Sequence, residues 1–267
     1  MLKMLIMKKS INCISFIIFA LSLNTCSANI DNSDYLVYPE FESSCPSFTD
    51  AVKFPEPWDL NAESTFTIPN KTIKSMSSCG LLITLLEYLS IRSYEYGGDF
   101  LAPRVTIINN YLRANKVALE LFSRNDFFLV IESTYQSVMT IKGYINSGIE
   151  VGAVNIFCLE MLLSSEMNMT ALKKEEKIKL MNMALERTKY AVNLENIEPC
   201  MIMIAIMKSF KFDPFLKDIE PKLVETSFGY TMTESDGNIH TNILNSHHRD
   251  IIIDYSNQFL NDQNFTL

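Results

Sequence analysis

Apolar positions repeat with helical spacing along most of this chain. The densest run is Cys79–Tyr94, CGLLITLLEYLSIRSY, in which Leu81, Leu82, Leu85, Leu86 and Leu89 fall on one face of a 3.6-residue period. Ile83, Tyr88, Ile91 and Tyr94 fill much of the remaining circumference, so this helix is expected inside the core, with Leu85 and Leu86 shut off from water. Ser77 or Ser78 suits its N-cap, since a serine oxygen can accept an orphan amide hydrogen of the first turn. Gly97-Gly98 supplies the stop.

The pattern continues downstream. Val105, Ile108, Leu112, Val117, Leu119, Leu121 and Phe122 mark one or two helices ending near Ser123. Asn125-Asp126 reads as the cap of a helix through Phe128, Val130, Ile131, Tyr135, Val138 and Met139, ended by Gly143. Ile149 to Leu163 makes another, almost wholly apolar. Thr170 is expected to cap an amphipathic helix with Ile178, Met181, Leu185 and Val192 inward, and Lys173–Lys177 as its solvated first turns. Pro199 suits a first helical position and opens Met201 to Phe210; Asp213-Pro214 caps a short helix. The pattern predicts an all-α domain over residues 76–226, an irregular antiparallel helical bundle or helical-hairpin stack with essentially no sheet.

Both flanks differ from this body. Residues 29–75 hold five of the nine prolines, which disfavours long helices there, and residues 29–70 hold eight acids against Lys53. Tyr35, Tyr38, Phe41, Phe54, Trp58 and Phe66 are spaced through the same acidic lead-in, so it is expected to lie across the helical body. Residues 227–267 read as a polar, peripheral segment with a late helix around Arg249 to Leu260.

Residues 1–28 carry Lys3, Lys8 and Lys9 without an acid, then an apolar run from Ile14 to Leu23 and small residues. That is the order of a secretory signal, and the run is too short to span a membrane stably. Two cleavages compete. Cys26-Ser27-Ala28 precedes Asn29 as a signal-peptidase site, whereas Leu23-Asn24-Thr25-Cys26 resembles a lipobox, with Cys26 lipidated. Either route exports the chain to the periplasm or the cell surface.

Charge then narrows the partners. The chain carries −8, so without the three lysines of the leader it stands at −11. Having no basic stripe, it is not suited to nucleic acid or to anionic lipid. A protein or an envelope component is the expected partner, with a lipid anchor at Cys26 as an option.

The cysteines follow from export. Cys45, Cys79, Cys158 and Cys200 lie beyond the leader, and in an oxidising compartment they permit two disulfides in three pairings. Cys45 to Cys79 would pin the lead-in to the first helix, and Cys158 to Cys200 would join two later helices. In the competing reading, Cys158 and Cys200 are small apolar core residues.

Other chemistry is sparse. Cys79 at a helix N-terminus, with His240, His247 and His248 downstream beside Asn242, Asn245 and Asp250, follows the order of a thiol hydrolase. No oxyanion-hole glutamine precedes it, and no strand-rich segment carries the histidines. Met167-Asn168-Met169, Met181-Asn182-Met183 and Met201-Ile202-Met203 repeat a spacing of soft thioethers suited to Cu(I). Positions two apart on a helix point about 200° from each other, so only Met167 and Met169, expected in a turn, could share an ion. Sequons at Asn70, Asn168 and Asn264 match what chance gives in a chain rich in asparagine. There is no phosphate-cradling glycine loop and no zinc spacing, so no cofactor and no metal site is expected.

Two stretches carry a resemblance. Lys74-Ser75-Met76-Ser77-Ser78-Cys79-Gly80-Leu81-Leu82 and Glu120-Leu121-Phe122-Ser123-Arg124-Asn125-Asp126 resemble a pattern in uncharacterised exported bacterial proteins. There a capped apolar helix follows a proline-rich lead-in, and a Leu-Phe-x-Arg-x-Asp turn joins two later helices. The resemblance implies an all-helical exported domain and no activity. The resulting expectation is an exported, acidic helical protein that acts by contact, as binder or scaffold. The alternative is a cysteine-dependent envelope hydrolase using Cys79 with His240.

Overall fold

The computed structural model describes residues 50–52, 54, 67–96, 104–138, 156–190, 197–226, 229–234, 236–239 and 244–264, all within the compact unit Glu40–Leu267. Helices make up 75% of them. In chain order they are α1 (Asn70–Ser75), α2 (Ser78–Tyr96), α3 (Arg104–Ala114), α4 (Lys116–Phe122), α5 (Phe127–Val138), α6 (Ile156–Ser164), α7 (Glu166–Ala171), α8 (Lys174–Arg187), α9 (Ile197–Ser209), α10 (Asp213–Asp218) and α11 (Ser246–Asn264). Among the described residues a single hairpin, β1 (Leu223–Thr226) with β2 (Gly229–Met232), lies between α10 and α11. Apart from this hairpin the described fold is all-α.

The apolar run behaves as its periodicity predicts. Leu81, Leu82 and Leu85 are 0% exposed and Leu86 is 3% exposed. They turn α2 toward α4, α5 and α6. Ser77 is the cap, accepting the Gly80 N–H on its Oγ at 3.0 Å. The break expected somewhere between Val105 and Phe122 falls at Asn115, whose Oδ1 accepts the amides of Val117 and Ala118 and so starts α4.

A second axis is α9. Cys200, Ile202, Met203, Ile204, Ile206 and Met207 are all fully buried, because α6, α8, α11 and β2 pack around the helix. Pro199 stands at its third residue, so the helix opens slightly earlier than Pro199 suggests. Its end is a Schellman motif. Phe212 N–H returns to the Met207 carbonyl and Lys211 N–H to that of Lys208, with Lys211 in the left-handed region at φ 53°.

Three expectations need correction. Thr170 caps nothing: it lies inside α7, where its hydroxyl donates to the Glu166 carbonyl. The caps belong to its neighbours. Ser165 opens α7 by accepting the Asn168 amide, and Lys173 opens α8, its N–H donating to the Glu176 carboxylate. The C-terminal segment is not peripheral: Leu244, Ile252 and Phe259 are fully buried. Phe259 stacks edge-on against Phe210 and Phe212 at ring separations of 4.9 and 5.5 Å, which draws α11 onto α9 despite its polar composition. The late helix is real but longer, Ser246–Asn264.

The hairpin was expected as neither strand nor turn. Its register pairs Leu223 with Met232 and Thr226 with Gly229. Gly229 takes φ 109°, a conformation that favours glycine, and a Cβ there would press on the Met201 side chain, 2.6 Å from its sulfur. The hairpin also serves α3: the Glu225 carboxylate accepts the Thr106 N–H and hydroxyl in its first turn.

Candidate functional site

The most organised polar cluster lies where α1 meets α2. Helix α1 ends at Ser75, and its negative end is met by a cation: Arg124 Nη2 donates to the carbonyls of Lys74 and Met76, at 3.1 and 3.3 Å. Glu120 holds that guanidinium through Nε at 2.9 Å. Helix α2 starts at Ser78, and its positive end is met by two carboxylates. Asp50 accepts the Ser77 N–H at 2.5 Å and the Ser77 hydroxyl at 3.0 Å. Asp126 accepts the Ser78 hydroxyl at 2.6 Å. The two stretches that carry the resemblance, 74–82 and 120–126, are therefore in direct contact.

Asp50 begins a strap along α2. Val52 N–H donates to Thr84 Oγ1 at 2.9 Å, and Phe54 N–H donates to Glu87 Oε1 at 3.1 Å. Phe54 is buried, its ring 6.2 Å from that of Tyr88. Alternate strap residues thus meet helix positions 77–80, 84 and 87–88, one face of α2. The lead-in does lie across the helical body at these residues. Gly80 makes the approach feasible, because a Cβ there would stand 2.1 Å from Asp50 Oδ1.

Of the candidate catalytic pair, Cys79 alone is among the described residues. Cys79 is held in a disulfide, so its sulfur offers no thiolate for attack. His240 lies outside the described residues, as do Cys26 and Cys45. Cys158 and Cys200 are both buried in the core. The turn expected at Met167 and Met169 is helix α7, so the divergence of positions two apart applies to them as well. Asn168 is fully buried, its amide donating to the Leu163 carbonyl. Among the described residues no three His, Cys, Asp or Glu side chains gather as for a metal ion. Nor is any described helix long and apolar enough to cross a membrane.

Two further polar sites escaped sequence reasoning. Tyr135, Glu160 and Arg187, on α5, α6 and α8, form a cluster at 0% exposure. The Tyr135 hydroxyl donates to Glu160 Oε1 at 2.8 Å, and Arg187 Nε lies 3.5 Å from the same oxygen. The sequence trace is slight: Glu160 is the one charge in the apolar run Ile156–Leu163. His248, in the first turn of α11, is buried with Nε2 3.3 Å from Glu234 Oε1. Asn245 joins both, accepting the His248 N–H and donating to Glu234. Burial pushes the His248 pKa below 6.5, with His247 adding to the effect and Glu234 opposing it. This arrangement holds the start of α11.

Comparisons with family models, with curated proteins and with solved structures return no match for the chain.

Proposed function

We propose that this chain is an exported bacterial protein that works by contact, as a binder or scaffold at the cell envelope. The observation that carries the reading is the disulfide at Cys79. Structural disulfides persist in oxidising compartments and are rare in a reducing cytosol. It agrees with the signal character of residues 1–28. It also removes the one sulfur on which a hydrolase reading relied.

Contact needs an accessible surface. Leu119 on α4 and Leu129 on α5 are 48% and 66% exposed, while most of the apolar residues around them are buried. A net acidic chain directs the choice toward a protein or a neutral envelope component.

The test has two parts. Mass spectrometry of the mature protein is expected to find a start at Cys26 with attached lipid, or near Asn29 without it. An intact Met1 in the cytoplasm would contradict export. A photoreactive residue placed at 129 in the exported protein is expected to give a discrete adduct, absent when the probe sits at exposed Glu175. Equal labelling from both positions would contradict a contact surface on α5.

A further inference from the structure

Helix α11 is started by a side chain that is itself tied to the hairpin. Asn245 Oδ1 accepts the His248 N–H at 2.9 Å, and the Asn245 carbonyl accepts the Arg249 N–H at 3.0 Å. The Asn245 amide donates to Glu234 Oε1 at 3.3 Å, just past the end of β2. His248 Nε2 lies 3.3 Å from the same oxygen. One carboxylate therefore holds both the cap and a residue of the first turn. The contact suits the tautomer with its proton on Nε2, which leaves Nδ1 as an acceptor. Nδ1 is shut off from water, and among the described residues nothing hydrogen-bonds to it. The residue as a whole is 3% exposed. A neutral imidazole fits this setting; one with a second proton does not.

We propose that Glu234, Asn245 and His248 form an acid-sensitive latch, which opens when Nδ1 takes up a proton and so frees the first turn of α11 from the hairpin. The added N–H has no acceptor in the closed arrangement, so it must find water. Turning the ring outward breaks its contact with Glu234 and drags on the helix turn that carries it. Two charges bear directly on the ring. Glu234 attracts the imidazolium, and His247, whose ring lies 6.2 Å away, repels it. The Glu234 side chain is 35% exposed, so solvent screens its attraction. Among the described residues, neither α8 nor α9, the helices packed on α11, adds a charge that acts on the ring. The positive end of α11 also works against a cation in its first turn. Burial prevails over the pull of Glu234, and the closed ring titrates below 6.5. The open ring binds the proton more readily, so the latch is shut above pH 6.5 and loosens as pH falls below it. Opening also uncovers Leu244, fully buried one residue before Asn245. An acidic setting thus presents an apolar residue that neutral conditions hide.

The experiment uses the full chain. Proton NMR follows the titration of the His248 ring. Amide exchange, corrected for the pH dependence of the intrinsic rate, is followed at His248 and Arg249, whose N–H groups Asn245 holds. The ring is expected to titrate below 6.5 in the folded protein. Protection of the two amides is expected to fall by at least about threefold from pH 7 to pH 5, within the limit of about tenfold per pH unit that one proton sets. Their exchange is expected to ignore urea below the unfolding transition, because a local opening exposes little surface. His248→Gln keeps a neutral donor and is expected to exchange alike at both pH values. Glu234→Gln removes the attraction for the charged ring, so His248 should titrate lower still, and the ratio of exchange at pH 5 to that at pH 7 should grow. Titration at or above 6.5 overturns the proposal. So does a loss of protection that persists in His248→Gln. A urea slope equal to that of Ile204 and Ile206 in α9 overturns it too, since His248 would then prop the whole fold and latch nothing. Should His248→Gln not accumulate, Glu234→Gln decides: an unmoved titration there removes Glu234 from the latch and the proposal with it.

Discussion

Replacing Arg187 by Met is the sharpest probe of how the core is held. The methionine keeps most of the apolar stem and removes the guanidinium. Arg187 and Glu160 are both 0% exposed, so the change leaves the carboxylate buried without that cation. Breaking a buried ion pair from one side costs about 3–5 kcal/mol. Much of this comes from the stranded charge, since the intact pair has already spent its attraction on its own desolvation. At about 2–4 °C per kcal/mol for a domain of this size, the midpoint should fall by about 6–20 °C. The double variant Glu160→Leu with Arg187→Met removes both charges and should recover most of the loss. Tyr135→Phe, which deletes one hydrogen bond to a charged oxygen, should cost about 1.5–3 kcal/mol. Urea unfolding followed by circular dichroism measures all three. A single variant within about 1 kcal/mol of the parent, or a double variant no better than the single, would refute the argument.

Leu85→Ala should cost about 2–5 kcal/mol because Leu85 is fully buried, while Leu129→Ser on the exposed side of α5 should stay within about 0.5 kcal/mol in the same assay. His248 titrates below 6.5 when folded, so the unfolded chain binds that proton more readily. Its contribution is complete above pH 6.5 and is lost as pH falls below it; His248→Gln should flatten the unfolding midpoint measured between pH 7 and 5. Lys211→Gly should raise stability by about 0.5–1 kcal/mol, because glycine takes the left-handed C′ position without the strain a lysine Cβ meets there; a lower melting temperature would contradict this.

The helices were legible because burial writes a period into the sequence. Leu81, Leu82, Leu85 and Leu86 show it directly, and they are among the most buried residues of the fold. Capping was less legible. Ser77 and Asn115 look like caps and act as such, but Thr170 looks like one and sits inside α7, because Ser165 had already started that helix. Composition misled at the C-terminus: α11 is polar overall, yet Ile252 and Phe259 on one side suffice to bury it against α9. The hairpin was hidden because its strands have four residues each, too short for alternation to stand out. The junction of α1 with α2 could not be read at all. Asp50, Ser77 and Asp126 are distant in sequence, and only the fold brings the two carboxylates to one helix end.

That junction decides which surfaces can meet a partner. One face of α2 is filled by core leucines, and another lies under Val52 and Phe54. Helix α2 therefore has little to offer, and a partner must use outlying positions such as Leu129 on α5. Leu129→Asp puts a charge on that exposed position and leaves the core untouched, so it should weaken binding of the partner while the unfolding midpoint stays close to the parent's. Equal binding by parent and variant would move the contact surface off α5.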